Sequence, residues 1–167
     1  MATPSATASV RIVGFDPRWR GDFARLNLEW LRRWFVVEPF DEAVLGDPET
    51  HLLAGGGHVL FALDGAGDAT RAVGTVALRH DGKGVYELTK MAVDPDLRGS
   101  GIGRALLLEA IALYQRLDGR ELYLESSSRL QPALRLYESA GFVHHPAPRA
   151  GSHYARADVH MVWEPPA

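Results

Sequence analysis

The sequence predicts a mixed α/β fold with a mostly antiparallel sheet, and three observations carry this. Three apolar segments between residues 58 and 93 are separated by Gly- and Asp-rich turns, the pattern of an antiparallel meander. Two helical segments then alternate with strand-like segments. The chain has 167 residues, which suits one domain with a real core.

The elements follow in order. Val10–Phe15 is a short first strand. Asp16-Pro17 places a capping side chain before a proline at the first helical position. Phe23, Leu26, Trp30 and Trp34 continue that helix at helical spacing. Pro39–Leu45 is a second short helix, closed by Gly46-Asp47-Pro48. Gly55-Gly56-Gly57 turns the chain into strand His58–Leu63. Asp64–Asp68 and Asp81–Gly84 are the turns that lead into Arg71–Arg79 and Val85–Val93. Arg104–Leu117, apolar on most of its circumference, is a helix packed on the sheet, with Gly119 as its left-handed cap. Glu121–Glu125 is the next strand, and Pro132–Ala140 a helix ended by Gly141. Tyr154–Trp163 alternates apolar and polar residues along its length, so Ala155, Ala157, Val159, Met161 and Trp163 are expected on a buried face. The order is β-α-α-β-β-β-α-β-α-β-β, a mixed α/β fold. Residues 1–7 read as a disordered tail and residues 8–167 as a single domain.

Composition narrows the function. No run of about 18 apolar residues exists to cross a membrane. The start lacks the basic and apolar regions of a signal peptide. Cysteine is absent, which removes disulfides and thiolate nucleophiles and suits a cytoplasmic location. The net charge of −3 and the lack of a basic run argue against nucleic acid as partner.

The sharpest local signal is the run from Val93 to Arg104, in which a strand ends, a Gly-rich loop follows and a helix begins. Successive backbone N–H groups at a helix start form an anion site, and glycines let a phosphate approach the backbone. Arg98 and Arg104 add fork-shaped donors. The dinucleotide fingerprint fails, because its sixth position, counted from Gly99, is Arg104. The P-loop ending is also missing.

With Arg98-x-x-Gly101-x-Gly103 after Met91-Ala92-Val93-Asp94-Pro95, and Ala133-x-x-x-Tyr137-x-x-x-Gly141-Phe142 downstream, the chain resembles the GNAT superfamily of N-acetyltransferases. The stretches Glu87–Val93 and Leu122–Glu125 look most like small GNAT domains also found fused to MarR-type regulators. The resemblance implies a splayed strand pair in the sheet, helices on both faces, and acetyl-CoA as co-substrate with no metal. It implies that Arg98, Gly99, Ser100, Gly101, Ile102, Gly103 and Arg104 wrap the pyrophosphate. It further implies that Met91, Ala92 and Val93 pair with the pantetheine arm, with the Val93 amide near the thioester carbonyl. By the same resemblance Tyr137 contacts the cofactor and protonates the departing thiolate, and Glu87 is the base. A phenol carries a proton at neutral pH, and an ammonium acceptor must lose one before attack. With a period of two, Glu87, Thr89, Met91 and Val93 share a face of one strand unless a bulge intervenes. A packed aromatic remains an alternative for Tyr137, and a solvated or ion-paired carboxylate for Glu87.

One position departs from the family pattern: Leu130 stands where many relatives have Asn, seven residues before the tyrosine. Ser126, Ser127 and Ser128 are then either substitutes for that contact or a locally bonded turn. Arg32 and Arg33 either pair with a substrate carboxylate or are solvated. His145, Tyr154 and Arg156 are further candidates for the acceptor pocket. The adjacent His144 and His145 point opposite ways on a strand and make a poor chelate. The expected activity is acetyl transfer from acetyl-CoA to a primary amine of a small molecule, with a possible homodimer as the assembly. A protein N-terminal or lysine acetyltransferase and a non-catalytic acyl-CoA-binding sensor are the alternatives.

Overall fold

Asp16 caps the first helical turn through a 2.8 Å bond from the Arg18 amide, which sends the chain from the sheet edge onto one face. The computed structural model describes residues 10–165, so the tail expected at residues 1–7 lies outside them. In chain order the elements are β1 (Arg11–Gly14), a 3-10 turn (Pro17–Trp19), α1 (Arg20–Trp34), α2 (Pro39–Gly46) and a π-helical turn (Glu49–Leu53). Next come β2 (His58–Asp64), β3 (Arg71–Gly82), β4 (Val85–Val93), α3 (Ile102–Arg116), β5 (Glu121–Ser126) and α4 (Gln131–Ser139). The last two strands are β6 (Phe142–His145) and β7 (Val159–Trp163). This is the expected order of strands and α-helices; the π-helical turn was not foreseen.

The strands form one sheet in the order β1-β2-β3-β4-β5-β7-β6. Every neighbouring pair is antiparallel except β4 and β5, which run parallel. Both faces are covered, and β2 shows how. Leu60 and Ala62 point into a core with α3, while Val59, Phe61 and Leu63 point into a second core with α1 and α2. A strand buried on both faces reads as a continuous apolar run, which is what 59–63 is. In the first core, Ile102, Leu106, Leu107 and Ala110 of α3 lie against Val73, Val76 and Leu88. Complete burial of each such leucine contributes about 1.5–3 kcal/mol.

Two expectations need correction. The left-handed residue after α3 is Asp118, with φ 54°, and not Gly119. Gly119 is needed for space, because a β-carbon there would overlap the Tyr114 ring. The strand expected over Tyr154–Trp163 is only Val159–Trp163, and of the face expected to be buried only Met161 is fully so. Tyr154 and His160 are buried, whereas Ala155 is exposed. Tyr154 and Arg156 leave the sheet because charged groups of α2 and β4 bind them, as described next.

Candidate active site

The site begins where the sheet stops pairing. β4 and β5 share only three rungs, Val85↔Glu121, Tyr86↔Leu122 and Glu87↔Tyr123. Past Glu87 the strands diverge. A bulge marks the divergence: Ala77 faces Thr89 and Thr75 faces Ala92, so Lys90 and Met91 together oppose Val76, and Lys90 has φ 55°. The bulge reverses the alternation. Tyr86 and Leu88 precede it on the α3 face, and Met91 and Val93 follow it on that same face. The expectation that Glu87 and Thr89 share a face with Met91 and Val93 is therefore overturned.

The gap is a slot of ≈ 90 Å³, lined by residues 88–91 of β4 and 124–126 of β5. Tyr137 of α4, Asn27 and Trp30 of α1, and Phe35 just past that helix close it, with Tyr154 and Arg156 on the remaining wall. At the far end of β4, Asp94 donates its amide to the Val73 carbonyl at 2.8 Å. Alternate residues of an antiparallel pair face their partner, so the Val93 amide is turned away from β3, on the side where β4 and β5 part.

The chain then makes the Gly-rich turn. Gly99 and Gly101 have φ 81° and 91°, a conformation open to glycine at little cost, and Gly101 directly precedes α3. The first bond of that helix runs from the Ala105 amide to the Gly101 carbonyl at 3.0 Å. The amides of Ile102, Gly103 and Arg104 therefore lack an intrahelical acceptor and stand at the positive end of the helix dipole. Arg98 is exposed and forms no ion pair among the described residues, and Arg104 donates to Ser139 Oγ at 3.1 Å. A β-carbon on Gly103 would lie 3.8 Å from Val93 and 3.9 Å from Leu136, so this glycine fits the seam between β4 and α4. Ser100 bonds within the turn to the Leu97 carbonyl.

Tyr137 is half-buried, set edge-on against Phe142 at 6.1 Å between ring centres. Its hydroxyl has no hydrogen-bond partner among the described residues, and burial pushes its pKa up to about 12. It is a protonated donor facing a slot. Glu87 is 1% exposed and takes a 3.1 Å bond from Arg79 Nε. Burial raises its pKa, the Arg79 charge opposes this, and the neighbouring Glu125 charge adds to it, giving about 7. Glu87 does not line the slot.

Glu125 does, and sequence reasoning missed it. Its Oε1 is the one buried side-chain polar atom without a partner among the described residues. It lies between the slot and a second, polar cavity of ≈ 280 Å³ that also holds Arg79, Asp81, Tyr123, Arg149 and His153. A buried carboxylate oxygen with nothing to accept from is costly, unless a donor arrives with a ligand. The signal available beforehand was its position four residues after Glu121, the paired start of the strand that splays from β4.

The outer wall is a charge cluster. Lys90 donates to Asp41 Oδ1 at 2.6 Å and to the Tyr154 hydroxyl at 2.9 Å. Arg156 forks onto Asp41, with both bonds at 2.9 Å, and onto Glu38 at 2.8 Å. Burial alone would raise the Asp41 pKa; the Arg156 hydrogen bonds and the Lys90 charge outweigh it and hold it at about 2. Burial lowers the Lys90 pKa against the pull of Asp41. Among the remaining candidates, Ser128 is engaged locally with Asp158, while Ser126 and Ser127 both line the slot, Ser127 also accepting from the Arg129 amide. Leu130 also lines it. His145 is exposed and outside it. Among the described residues no group of three His, Asp or Glu side chains could hold a metal, and no helix is long and apolar enough to cross a membrane.

Known proteins resemble this chain in sequence and in fold. The sequence model of the Acetyltransferase (GNAT) family matches residues 24–142. An uncharacterized N-acetyltransferase of Schizosaccharomyces pombe is 31% identical over 129 residues, 75% of this chain and 77% of its own length. An uncharacterized N-acetyltransferase of Escherichia coli is 31% identical over 88 residues, and the match spans 53% of either chain. Among solved structures, a GNAT-family acetyltransferase of Staphylococcus aureus superposes with a TM-score of 0.80 at 19% identity, covering 92% of this chain and 98% of that one. An N-acetyltransferase of Thermoplasma acidophilum, solved with coenzyme A, has a TM-score of 0.68 at 16% identity over 93% and 99% of the two chains.

Proposed function

Because the chain belongs to the acetyltransferase (GNAT) family and is an acyltransferase, we propose that it transfers an acetyl group from acetyl-CoA to a primary amine of a small molecule. The observation that carries this is the pairing of two features: a slot holding a donor phenol and an unpaired carboxylate, and a turn of free amides and left-handed glycines that follows the strand lining it. Its ≈ 90 Å³ supports a short acyl group. The solved neighbour's coenzyme A complex supports the choice of cofactor.

In this reading the amides of residues 99–104, with Arg98 and Arg104, bind the pyrophosphate. Met91, Ala92 and Val93 present backbone groups to the pantetheine arm, and Ser126 stands near it in place of the missing asparagine. The acceptor enters as an ammonium and gives a proton to Glu125, the carboxylate that reaches the slot. Glu87 lies behind it, raised to about 7, as the next proton acceptor and not the direct one. The amine nitrogen attacks the thioester carbon, and the oxyanion leans on the Val93 amide. The C–S bond breaks, Tyr137 donates its proton to sulfur, and the proton lost by the new amide nitrogen restores the phenol. The products are an N-acetyl amine, coenzyme A and one released proton.

Glu125 and Tyr137 in one slot favour catalysis over a binding-only sensor. Calorimetric titration with acetyl-CoA, against ATP and NAD, tests the cofactor; coenzyme A thiol release over a panel of amines tests the transfer. Saturable binding of acetyl-CoA alone with amine-dependent thiol release is the expected result. Binding without release for every amine would move the reading to a sensor, and no binding would end it.

A further inference from the structure

The slot adjoins a groove of ≈ 630 Å³ that shares Phe35 and Arg156 with it. The groove holds four arginines, Arg32, Arg33, Arg129 and Arg156, and one carboxylate, Glu38. Glu38 is already bound to Arg156. Arg32, Arg33 and Arg129 are exposed and form no ion pair among the described residues, although the chain as a whole carries a net charge of −3. Two of them sit over aromatic rings: the Arg33 guanidinium lies 5.5 Å from the Trp34 ring centre, and Arg129 lies 5.2 Å from that of Phe35. A guanidinium attracted to a ring by its charge still carries N–H donors for a carboxylate. The dipole of α1 accounts for basic residues at its C-terminal end, where Arg32 and Arg33 sit. It does not account for Arg129, which arrives from the loop after β5 and completes the same rim.

Resting on the acetyltransferase reading, we propose that the acceptor is an anionic primary amine: its amine enters the slot to reach Glu125, and its carboxylates are read by Arg32, Arg33 and Arg129. The signs agree at both ends, since a cationic rim and an anionic inner group orient such a molecule head first. A polyamine would be repelled at the rim. The same chemistry is offered by a free acidic amino acid and by an acidic peptide N-terminus, so the test carries both.

Thiol release is measured with acetyl-CoA and matched acceptors: glutamate and glutamine, peptides led by Glu-Glu and by Gln-Gln, and spermidine. The expected ranking places the acidic member of a pair about tenfold above its amide, with spermidine last. The preference should shrink as salt rises from low ionic strength, because exposed pairs are screened. Preference among the free amino acids identifies a small-molecule acceptor; preference confined to peptides identifies a chain terminus. Combining Arg32→Glu with Arg33→Glu, and separately Arg129→Glu, should each lower the acidic-to-amide ratio of kcat/KM severalfold. Equal use of acidic and neutral acceptors, or faster use of spermidine, overturns the proposal while leaving the transferase reading intact. So does a rise in KM for acetyl-CoA with no change in the acidic-to-amide ratio, which would assign the arginines to the cofactor. Absence of thiol release with every amine instead removes the transferase reading itself.

Discussion

The two ends of the candidate site are built by opposite means. The turn from Asp94 to Arg104 is local: a proline-led turn, two left-handed glycines and a helix start lie within a dozen consecutive residues. The acceptor wall is assembled from distant segments. Ala155 donates its amide to Glu38 across 117 residues, Arg156 binds Asp41 across 115, and Lys90 reaches Asp41 across 49. A local device keeps its shape if its own residues are right. An assembled wall depends on every strut, so damage there should appear first as lost stability, and damage at the turn as lost binding.

Asp41→Asn is the largest break of that contrast. It leaves Lys90 and Arg156 facing each other across a buried amide. Breaking a buried pair by removing one partner costs about 3–5 kcal/mol. For a chain of this size that lowers Tm by about 10 °C, readable by thermal denaturation. The pH dependence has a definite sign. The Asp41 pKa is depressed to about 2 from 3.8, so its stabilisation is present above 3.8 and is lost as pH falls toward 2. The variant should lack that acid-side loss.

Gly101→Asp is the counterpart at the turn. The residue must keep φ near 91°, which costs a non-glycine about 1–2 kcal/mol, and its carboxylate faces the phosphates. The Kd for acetyl-CoA should rise about 300-fold, with Tm lowered by only about 5 °C, less than for Asp41→Asn. A variant that melts early without losing affinity would erase the contrast between the two ends.

The same contrast explains what the sequence disclosed. The order of strands and helices, the turn and the position of Tyr137 were legible because spacing and turn chemistry are local. The 154–158 segment was not. Its alternation reads as strand, and only the charges of Glu38, Asp41 and Lys90 pull it off the sheet. The bulge at Lys90 was invisible for a related reason: no glycine marks it, since a lysine holds the positive φ while its ammonium is tied to Asp41. Missing the bulge put Glu87 on the wrong face. Glu125 escaped notice because an empty hydrogen-bonding oxygen is a property of packing.

Glu125→Gln probes where the two ends meet. Loss of a positioned proton acceptor should lower kcat about 100-fold at neutral pH. The deficit should shrink toward pH 10, where an amine acceptor loses its own proton. In the wild type the rate should rise with pH and level off above about 7, where Glu87 ionises. The stability contributed by the raised Glu87 pKa runs the other way: it is full below 4.5 and lost as pH rises through about 7. Opposite slopes of rate and Tm across that interval are the expected signature.

Tyr137→Phe should be the mildest change, and its size is informative. A thiol near pKa 8.5 leaves readily as a thiolate, so a proton donor helps sulfur far less than it would help an alkoxide. The Tyr137 hydroxyl makes no hydrogen bond among the described residues, and its ring packs on Phe142, so phenylalanine preserves the packing. Turnover should fall about tenfold while the Kd for acetyl-CoA holds and Tm stays within about 1 °C. Unchanged turnover would leave Tyr137 as a packing residue and leave the departing thiolate to solvent. A fall in affinity equal to the fall in rate would place its hydroxyl on the cofactor in the ground state. The tyrosine would then belong with the local binding turn, and Glu125 alone would carry the proton chemistry.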